Sequence, residues 1–107
     1  MQTTITGHHV ELSSALRAYA MEKMQKLERH FDNVISVDVI LKKEKLDHIA
    51  EATVNAGGRT LFATEKEADM YAAIDGLADK IDRQVRRLKA KLRDHHHEKP
   101  RHLAQGG

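Results

Sequence analysis

Hydrophobic and polar residues alternate along the chain with two spacings. A spacing of two predicts strands, and a spacing of three to four predicts helices. The clearest spacing of two lies in 34-VISVDVILKKEK-45, which is rich in β-branched residues. There Ile35, Val37, Val39 and Leu41 share one face, and polar residues lie opposite. This segment therefore predicts a half-buried strand.

Three further segments predict strands. The segment 48-HIAEATVNA-56 has apolar residues at every second position and follows a charged turn around residues 44–47. Gly57-Gly58 predicts a tight hairpin, because such turns need a positive φ at both central residues, and 59-RTLFAT-64 supplies the return strand. Near the N-terminus, 2-QTTITG-7 predicts a short first strand.

Two segments have helical spacing. The first follows Ser13, a residue type that caps helix N-termini, and its apolar positions recur at steps of three and four to about His30. The second is predicted from about residue 67 to residue 93, where Thr64 and Glu67 stand three apart as in a capping box. Its apolar stripe comprises Met70, Ile74, Leu77, Ile81, Val85, Leu88 and Leu92.

The element order is therefore β-α-β-β-β-α. Because each helix has one apolar stripe, the chain predicts an α+β fold in which two helices pack on one face of a four-stranded, mostly antiparallel sheet. The other face of the sheet is expected to be solvated. We expect this domain to span residues 1–93 and the His-rich segment 94–107 to form a short disordered tail.

Charge is distributed unevenly along the chain. Residues 1–79 contain nine Lys or Arg and thirteen Asp or Glu, whereas residues 80–107 contain nine and three. The C-terminal part thus has a net charge of +6 against −4 for the rest. This asymmetry favours a polyanionic partner, and the alternatives are a merely solvated helix face or a face that binds an acidic membrane or protein.

The basic residues of the second helix form a row. At 100° per residue, with Ile81 at 0°, the apolar stripe lies within about 40° of that direction. The row of Lys80, Arg83, Arg87 and Lys91 lies between about 200° and 280°, along roughly 16 Å of helix. The opposite flank mixes basic residues with acidic residues that can pair with them, namely Arg86, Lys89, Arg93, Asp75, Asp79 and Asp82.

The first helix has a weaker row of Lys23, Lys26 and Arg29. If the two helices pack side by side, both rows are expected to line one shared basic groove. Such a groove suits a phosphate backbone, because Arg presents a planar fork to phosphate oxygens and neutralised phosphates release counterions. Tyr19 and Phe31 lie near apolar faces, so no exposed platform for stacking bases is predicted. Recognition of folded RNA by its shape and backbone is favoured.

Other functions have little support. The sequence has no helix-turn-helix spacing that would indicate DNA binding. Gly57-Gly58 lacks the Lys of a phosphate-binding loop, and we expect neither enzymatic activity nor a cofactor. The histidines His95, His96, His97 and His102 lie in a segment without fixed geometry, so we expect no metal site. Added positive charge on partial protonation is favoured over metal binding, and the role of these histidines stays open. No Cys and no apolar run near the roughly 20 residues that span a bilayer occur, so we expect a soluble, cytoplasmic protein without membrane partners.

Three segments together resemble a known family. They are TGHHVELSSALRAYAMEKMQKLERHF, VISVDVILKKEK and above all 69-DMYAAIDGLADKIDRQVRRLKAKL-92. They are similar to the short form of the ribosome hibernation promoting factor family, which includes ribosome-associated inhibitors and sigma-54 modulation proteins. The resemblance covers about residues 1–93 and implies the same β-α-β-β-β-α fold.

The resemblance implies a factor of stress and stationary phase that binds the small ribosomal subunit between its head and body. There it would block the mRNA and tRNA sites and inhibit translation. The implied rRNA-binding residues are Lys23, Lys26, Arg29, Lys80, Arg83, Arg86, Arg87 and Lys91. Of these, Arg86 rests on the resemblance, because helical geometry places it outside the row.

Two features of relatives are not found in this sequence. Long forms carry a separate dimerisation domain, and a paralogous inhibitor carries an extended acidic tail, whereas residues 94–107 here are His-rich. The resemblance therefore implies the form that acts with a ribosome modulation factor to pair inactive ribosomes. The alternative function is a basic protein-interaction module that binds an acidic protein partner.

Overall fold

A computed structural model describes the backbone of residues 1–105 and the side chains of residues 1–91. The elements are β1 (Gln2–His8), α1 (Ser14–His30), β2 (Val34–Glu44), β3 (Asp47–Ala56), β4 (Arg59–Glu67) and α2 (Met70–Gln105). The strands form one sheet in the order β1-β2-β3-β4. Strand β1 is parallel to β2, and the other neighbours are antiparallel. The predicted α+β fold is confirmed, with a mixed sheet.

Both helices cover the same face of the sheet. Helix α1 packs on β1 and β2, α2 packs on β3 and β4, and the two helices contact each other. Within the part of the chain whose side chains are described, no polar or charged residue is buried. Each large apolar side chain removed from water stabilises the fold by about 1.5–3 kcal/mol. The most deeply buried of these are Met24, Val37, Val39, Leu41, Val54, Ile74, Leu77, Ile81 and Val85.

Helix α1 begins and ends where its sequence predicts. The Ser13 Oγ atom accepts a hydrogen bond of 3.1 Å from the Leu16 N–H, which satisfies one of the unpaired donors of the first turn. The helix ends at His30, and the Phe31 N–H donates to the Leu27 carbonyl at 2.8 Å. The buried Phe31 side chain then closes the end of α1 against the core.

The start of β2 corrects one prediction. Val34 pairs with Ala56 and Ser36 pairs with Asn55, so Ile35 is an extra residue in a β-bulge. The bulge reverses the alternation, because Val34 is buried while the Ile35 side chain is 64% exposed. Ile35 therefore does not share the core face of the other apolar residues of β2, and the prediction that it does is wrong.

The β3–β4 hairpin has the predicted turn. Gly57 and Gly58 have φ values of 56° and 75°, as a two-residue turn between twisted antiparallel strands requires. The Gly57 N–H also donates to the Asn33 carbonyl at 3.1 Å. The hairpin is therefore held against the connection between α1 and β2, and Arg59 follows directly at the start of β4.

The start of α2 corrects a second prediction. Strand β4 continues to Glu67, which pairs with His48, so the backbone that includes Thr64 and Glu67 belongs to the sheet rather than to a capping box. The cap is Asp69, whose Oδ2 atom accepts a hydrogen bond of 3.0 Å from the Ala72 N–H. The helix accordingly starts at Met70 instead of residue 67.

The C-terminal end of α2 differs from the predicted end near residue 93, because the helical backbone continues to Gln105. The proposed boundary between a domain of residues 1–93 and a disordered tail of residues 94–107 stays a prediction. The side chains from residue 92 onward lie outside the described residues.

The cap of α2 can be tested by comparing two substitutions. We expect Asp69→Ala to lower the free energy of unfolding by about 1 kcal/mol, because it leaves a helix N–H without its acceptor. Thr64→Ala removes an exposed strand side chain and should cost clearly less. Urea unfolding followed by circular dichroism measures both values. An equal or larger loss for Thr64→Ala would contradict the assignment of Asp69 as the cap.

Candidate nucleic-acid interface

Helix α2 separates the predicted basic residues into two groups. Its acidic flank faces α1, so that Lys23 and Lys26 of α1 lie across a groove from Asp75 and Arg86. Its basic row faces β4, where Arg87 and Lys91 lie beside the hairpin and Lys80 contacts the strand. The two rows therefore lie on opposite sides of α2, and the prediction of one shared basic groove is wrong.

The groove between the helices is charge-balanced. It encloses about 490 Å³ and includes the basic side chains of Lys23, Lys26 and Arg86. The same walls carry three carboxylates, those of Asp75, Asp79 and Asp82. Two of the basic side chains form ion pairs, since Lys23 lies 3.3 Å from Asp75 and Arg86 lies 2.8 Å from Asp82. This groove consequently lacks the net positive charge that a phosphate backbone needs.

Asp75 joins the two helices through a network of side chains. The Tyr19 hydroxyl donates a hydrogen bond of 2.6 Å to the Asp75 carboxylate. The Lys23 ammonium lies 5.4 Å from the Tyr19 ring centroid, and the Tyr71 ring packs against Tyr19 edge to face at 4.9 Å. The hydrogen bonds to Asp75 raise the pKa of Tyr19 and the pKa of Lys23. The Lys23 ammonium thus already has a partner within the chain, and its contact with Asp75 holds α1 to α2.

Lys80 has a similar structural role between α2 and β4. Its ammonium donates to the Thr64 carbonyl at 2.7 Å and lies 2.8 Å from the Glu65 carboxylate. The hydrogen bond from the Lys80 ammonium to the Glu65 carboxylate lowers the pKa of Glu65. Gly76 leaves room for the Glu65 side chain in this position, because a Cβ atom there would lie 2.7 Å from it. Lys80 therefore neutralises a carboxylate that approaches the helix closely.

Side chains of the helices also cover the two edges of the sheet. The Gln84 amide donates to the Phe62 carbonyl of β4 at 3.1 Å, and Lys80 donates to the Thr64 carbonyl of the same strand. On the other edge, the Arg17 guanidinium donates to the Ile5 carbonyl of β1 at 3.1 Å. Unpaired edge carbonyls can pair with another chain, so these contacts both orient the helices and protect the edges.

The remaining predicted residues are the ones available to a partner. Their side chains are exposed, and within the described part of the chain none of them forms an ion pair. The residues on α2 are the predicted row without Lys80, and the residues on α1 lie toward the C-terminal end of that helix. This exposed set consists of Lys26, Arg29, Arg83, Arg87 and Lys91.

Tertiary structure adds Arg59, a basic residue that helical spacing did not predict. Arg59, from the β3–β4 hairpin, lines a depression together with Arg87 and Lys91. At the end of α1, the charged groups of Arg86 and Lys89 lie 5.5 and 5.8 Å from the Phe31 ring centroid. The one signal for Arg59 in the sequence is its place directly after the glycine pair.

The aromatic residues form no joint stacking surface within the described part of the chain. Phe62 is 58% exposed on the open face of the sheet, whereas Tyr71 is 39% exposed on α2 beside Tyr19. Phe31 is buried, as expected from its position near the apolar stripe. The exposed rings thus lie on different elements, and the geometry favours contact with backbone phosphates over stacking with bases.

The described part of the chain contains neither a metal-binding cluster nor a membrane-spanning helix. Among the residues whose side chains are described, no cluster of three His, Cys, Asp or Glu residues has a geometry that could hold a metal ion. The histidines His95, His96, His97 and His102 lie outside these residues. None of the helices, over the residues described, combines the length and apolar character needed to cross a membrane.

Comparisons with known proteins agree with the resemblance found in the sequence. The profile of the family described as Sigma 54 modulation protein / S30EA ribosomal protein matches residues 3–93. A ribosome hibernation promoting factor of Salmonella typhimurium is 48% identical over 95 residues, which cover 89% of this chain and 100% of that protein. A Pseudomonas putida protein of the same name is 48% identical over 91 residues, or 85% of this chain and 89% of its own length.

Solved structures show the same fold. A ribosomal subunit interface protein from Coxiella burnetii superposes with a TM-score of 0.79 at 31% identity, over 84% of this chain and 99% of that chain. The N-terminal domain of Protein Y from Thermus thermophilus gives a TM-score of 0.76 at 31% identity, over 82% of this chain and 99% of that chain. The predicted family resemblance is thereby confirmed.

The Asp75 network can be tested by titrating Tyr19. In Tyr71→Phe, Tyr19 is the one tyrosine left, and we expect its pKa to lie above the ordinary 10.0. Adding Asp75→Asn should lower this pKa toward 10.0, because the anionic acceptor is lost. Tyrosinate absorbance against pH measures the shift, and circular dichroism checks that the chain stays folded.

Asp79→Asn is the matched control, because it removes a carboxylate of the same groove without touching the Tyr19 hydrogen bond. Identical titrations in the two Asn variants would contradict the network.

Folding raises the pKa values of Tyr19 and Lys23, so the protonated forms of these two side chains stabilise the folded chain at neutral pH. This stabilisation is lost as the pH rises through the raised values.

Proposed function

The chain belongs to the Sigma 54 modulation protein / S30EA ribosomal protein family, and from this premise we propose that it is a ribosome hibernation factor that binds the small ribosomal subunit. The observation that carries the proposal is a set of exposed basic side chains on α2 that form no ion pair with another described residue, namely Arg83, Arg87 and Lys91. Hibernation is the role that the names of the Salmonella and Pseudomonas relatives state.

The proposed partner on the ribosome is the phosphate backbone of small-subunit rRNA. Each Lys or Arg that neutralises a phosphate releases condensed counterions, which makes binding favourable and strongly dependent on salt. The contacts of Lys80 and Gln84 with β4 hold α2 in one orientation. The basic side chains therefore project from a helix whose position is already fixed, so binding requires little additional ordering of the backbone.

The proposed binding residues do not contribute equally. We assign phosphate contact first to Lys26, Arg29, Arg83, Arg87 and Lys91, which form no ion pair with another described residue. The other three predicted residues are assigned a structural role in addition, because each already has a carboxylate partner. These three are Lys23, Lys80 and Arg86.

The proposed mechanism is steric and non-enzymatic. A folded domain held between the head and the body of the small subunit would occupy the channel of the mRNA and the tRNAs, so translation would stop while the domain is bound. This position is supported by the family resemblance, as are action in the cytoplasm under stress or in stationary phase and pairing of inactive ribosomes with a ribosome modulation factor. No cofactor is part of the proposal.

A basic protein-interaction module is the second candidate function. The same exposed side chains could pair with carboxylates of an acidic protein, and salt alone would weaken both kinds of complex. Competition separates them. Folded RNA should displace the chain from ribosomes if rRNA phosphates are the ligand, and polyglutamate at the same charge concentration should have a much smaller effect.

Charge reversal on α2 tests the proposed site. We expect Arg83→Glu with Arg87→Glu to weaken binding to small subunits by roughly 100-fold or more, because two phosphate contacts become repulsive. Both side chains are exposed, so the free energy of unfolding should change by less than about 1 kcal/mol. Sucrose-gradient co-sedimentation with purified small subunits at low and raised salt measures binding.

The matched control is Lys43→Glu with Lys45→Glu, at the far end of the sheet. It changes the net charge by the same amount at two exposed positions near the β2–β3 turn. We expect this variant to co-sediment like the unaltered chain. Undiminished binding of the α2 variant, or equal loss in both variants, would contradict the proposed site.

A further inference from the structure

The β3–β4 hairpin adds a basic residue to the surface of α2. Arg59 stands directly after the Gly57-Gly58 turn, and its side chain is exposed. It lines a depression of about 250 Å³ together with Arg87 and Lys91 of α2. Basic side chains from two separate elements therefore converge on one site.

This depression has no described counter-charge. Its other lining residues are Leu61, Gln84 and Leu88, none of which is acidic. Within the described part of the chain, Arg59, Arg87 and Lys91 form no ion pair. This separates the site from the groove between the helices, where three carboxylates face three Lys or Arg side chains.

The walls of the depression are held in place. The Gln84 amide donates to the Phe62 carbonyl and fixes α2 against β4 at this level. The hairpin is tied to the α1–β2 connection by the bond from the Gly57 N–H to the Asn33 carbonyl. Leu88 is buried and Leu61 is partly buried, so they form a firm apolar floor between the basic side chains.

The geometry points to a phosphate-binding site for RNA in this depression, formed by Arg59, Arg87 and Lys91. A phosphate meets the two guanidinium groups and the ammonium, and the adjoining sugar lies against the floor formed by Leu61 and Leu88. Because Arg59 is displaced sideways from α2 onto the sheet, the site extends the basic row into a second direction. That arrangement suits a folded RNA with more than one strand in reach.

The inference rests on the proposed function, since it assigns the site to the same RNA partner. An acidic protein segment is less suited, because its backbone N–H groups need hydrogen-bond acceptors. Among the described side chains of the site, the Gln84 amide oxygen is the one such acceptor, beside three converging positive charges and an apolar floor. The Arg59 contribution is additional to that of the α2 row, so it can be removed while that row stays intact.

The test compares Arg59→Ala with Lys43→Ala in the full chain. Both remove one exposed positive charge, but Lys43 lies at the far end of β2. Affinity for small subunits is measured at several salt concentrations. We expect Arg59→Ala to bind about three- to tenfold more weakly and to reduce the slope of log K against log salt by about one, the change expected for one lost phosphate contact. Lys43→Ala should leave both quantities unchanged.

A second measurement keeps the two proposals distinguishable. The Arg side-chain Nε–H resonances are followed by NMR while a short RNA stem-loop, or polyglutamate, is added to the free chain. RNA should shift the Arg59 and Arg87 resonances, and in Arg59→Ala it should no longer shift the Arg87 resonance. This result supports the site even if the chain does not bind ribosomes. Failure to bind ribosomes together with these shifts would overturn the proposed function alone.

Equal ribosome affinity and slope for Arg59→Ala and the unaltered chain would overturn the site and leave the proposed function standing. Stronger shifts with polyglutamate than with RNA would also overturn it, in favour of an acidic protein. If neither ribosomes nor the stem-loop bind, both proposals fall.

Discussion

The packing of the α2 apolar stripe on β3 and β4 determines how the rest of the molecule is arranged. With Ile74, Leu77, Ile81 and Val85 buried, the rotation of the helix about its axis is fixed. One flank must then face α1 and the other must face β4. Each flank carries a different mixture of charges, so this single constraint decides which basic side chains meet carboxylates and which ones meet water.

That constraint gives the basic residues two kinds of role. Near α1, Asp75 and Asp82 compensate the charges of Lys23 and Arg86, and the groove becomes a joint between the helices. Near β4, Lys80 compensates Glu65, and beyond it the row has no partner among the described residues. Exposed ion pairs stabilise a fold only weakly, by about 0–1 kcal/mol each. Their main consequence here is that they leave a smaller, better defined set of charges for an anionic ligand.

The contacts that orient the helices also protect the sheet. A four-stranded sheet exposes backbone groups at both edges, and these can recruit another chain. Arg17 covers a carbonyl of β1, while Lys80 and Gln84 cover carbonyls of β4. The hairpin beside β4 stays accessible, and through Arg59 it contributes to the same surface as α2. A basic surface on this domain is thus built by a helix and a turn together.

The sequence alone determined the element order, the α1 cap at Ser13, the hairpin at Gly57-Gly58 and the row on α2, because each depends on local spacing or local backbone preference. It did not determine the bulge at Ile35 or the cap at Asp69, since the pairing of neighbouring strands overrides local patterns there. Only the tertiary structure decided which charges are compensated and that Arg59 joins the α2 row. Those outcomes depend on distances between residues far apart in the chain, which periodicity within one element does not contain.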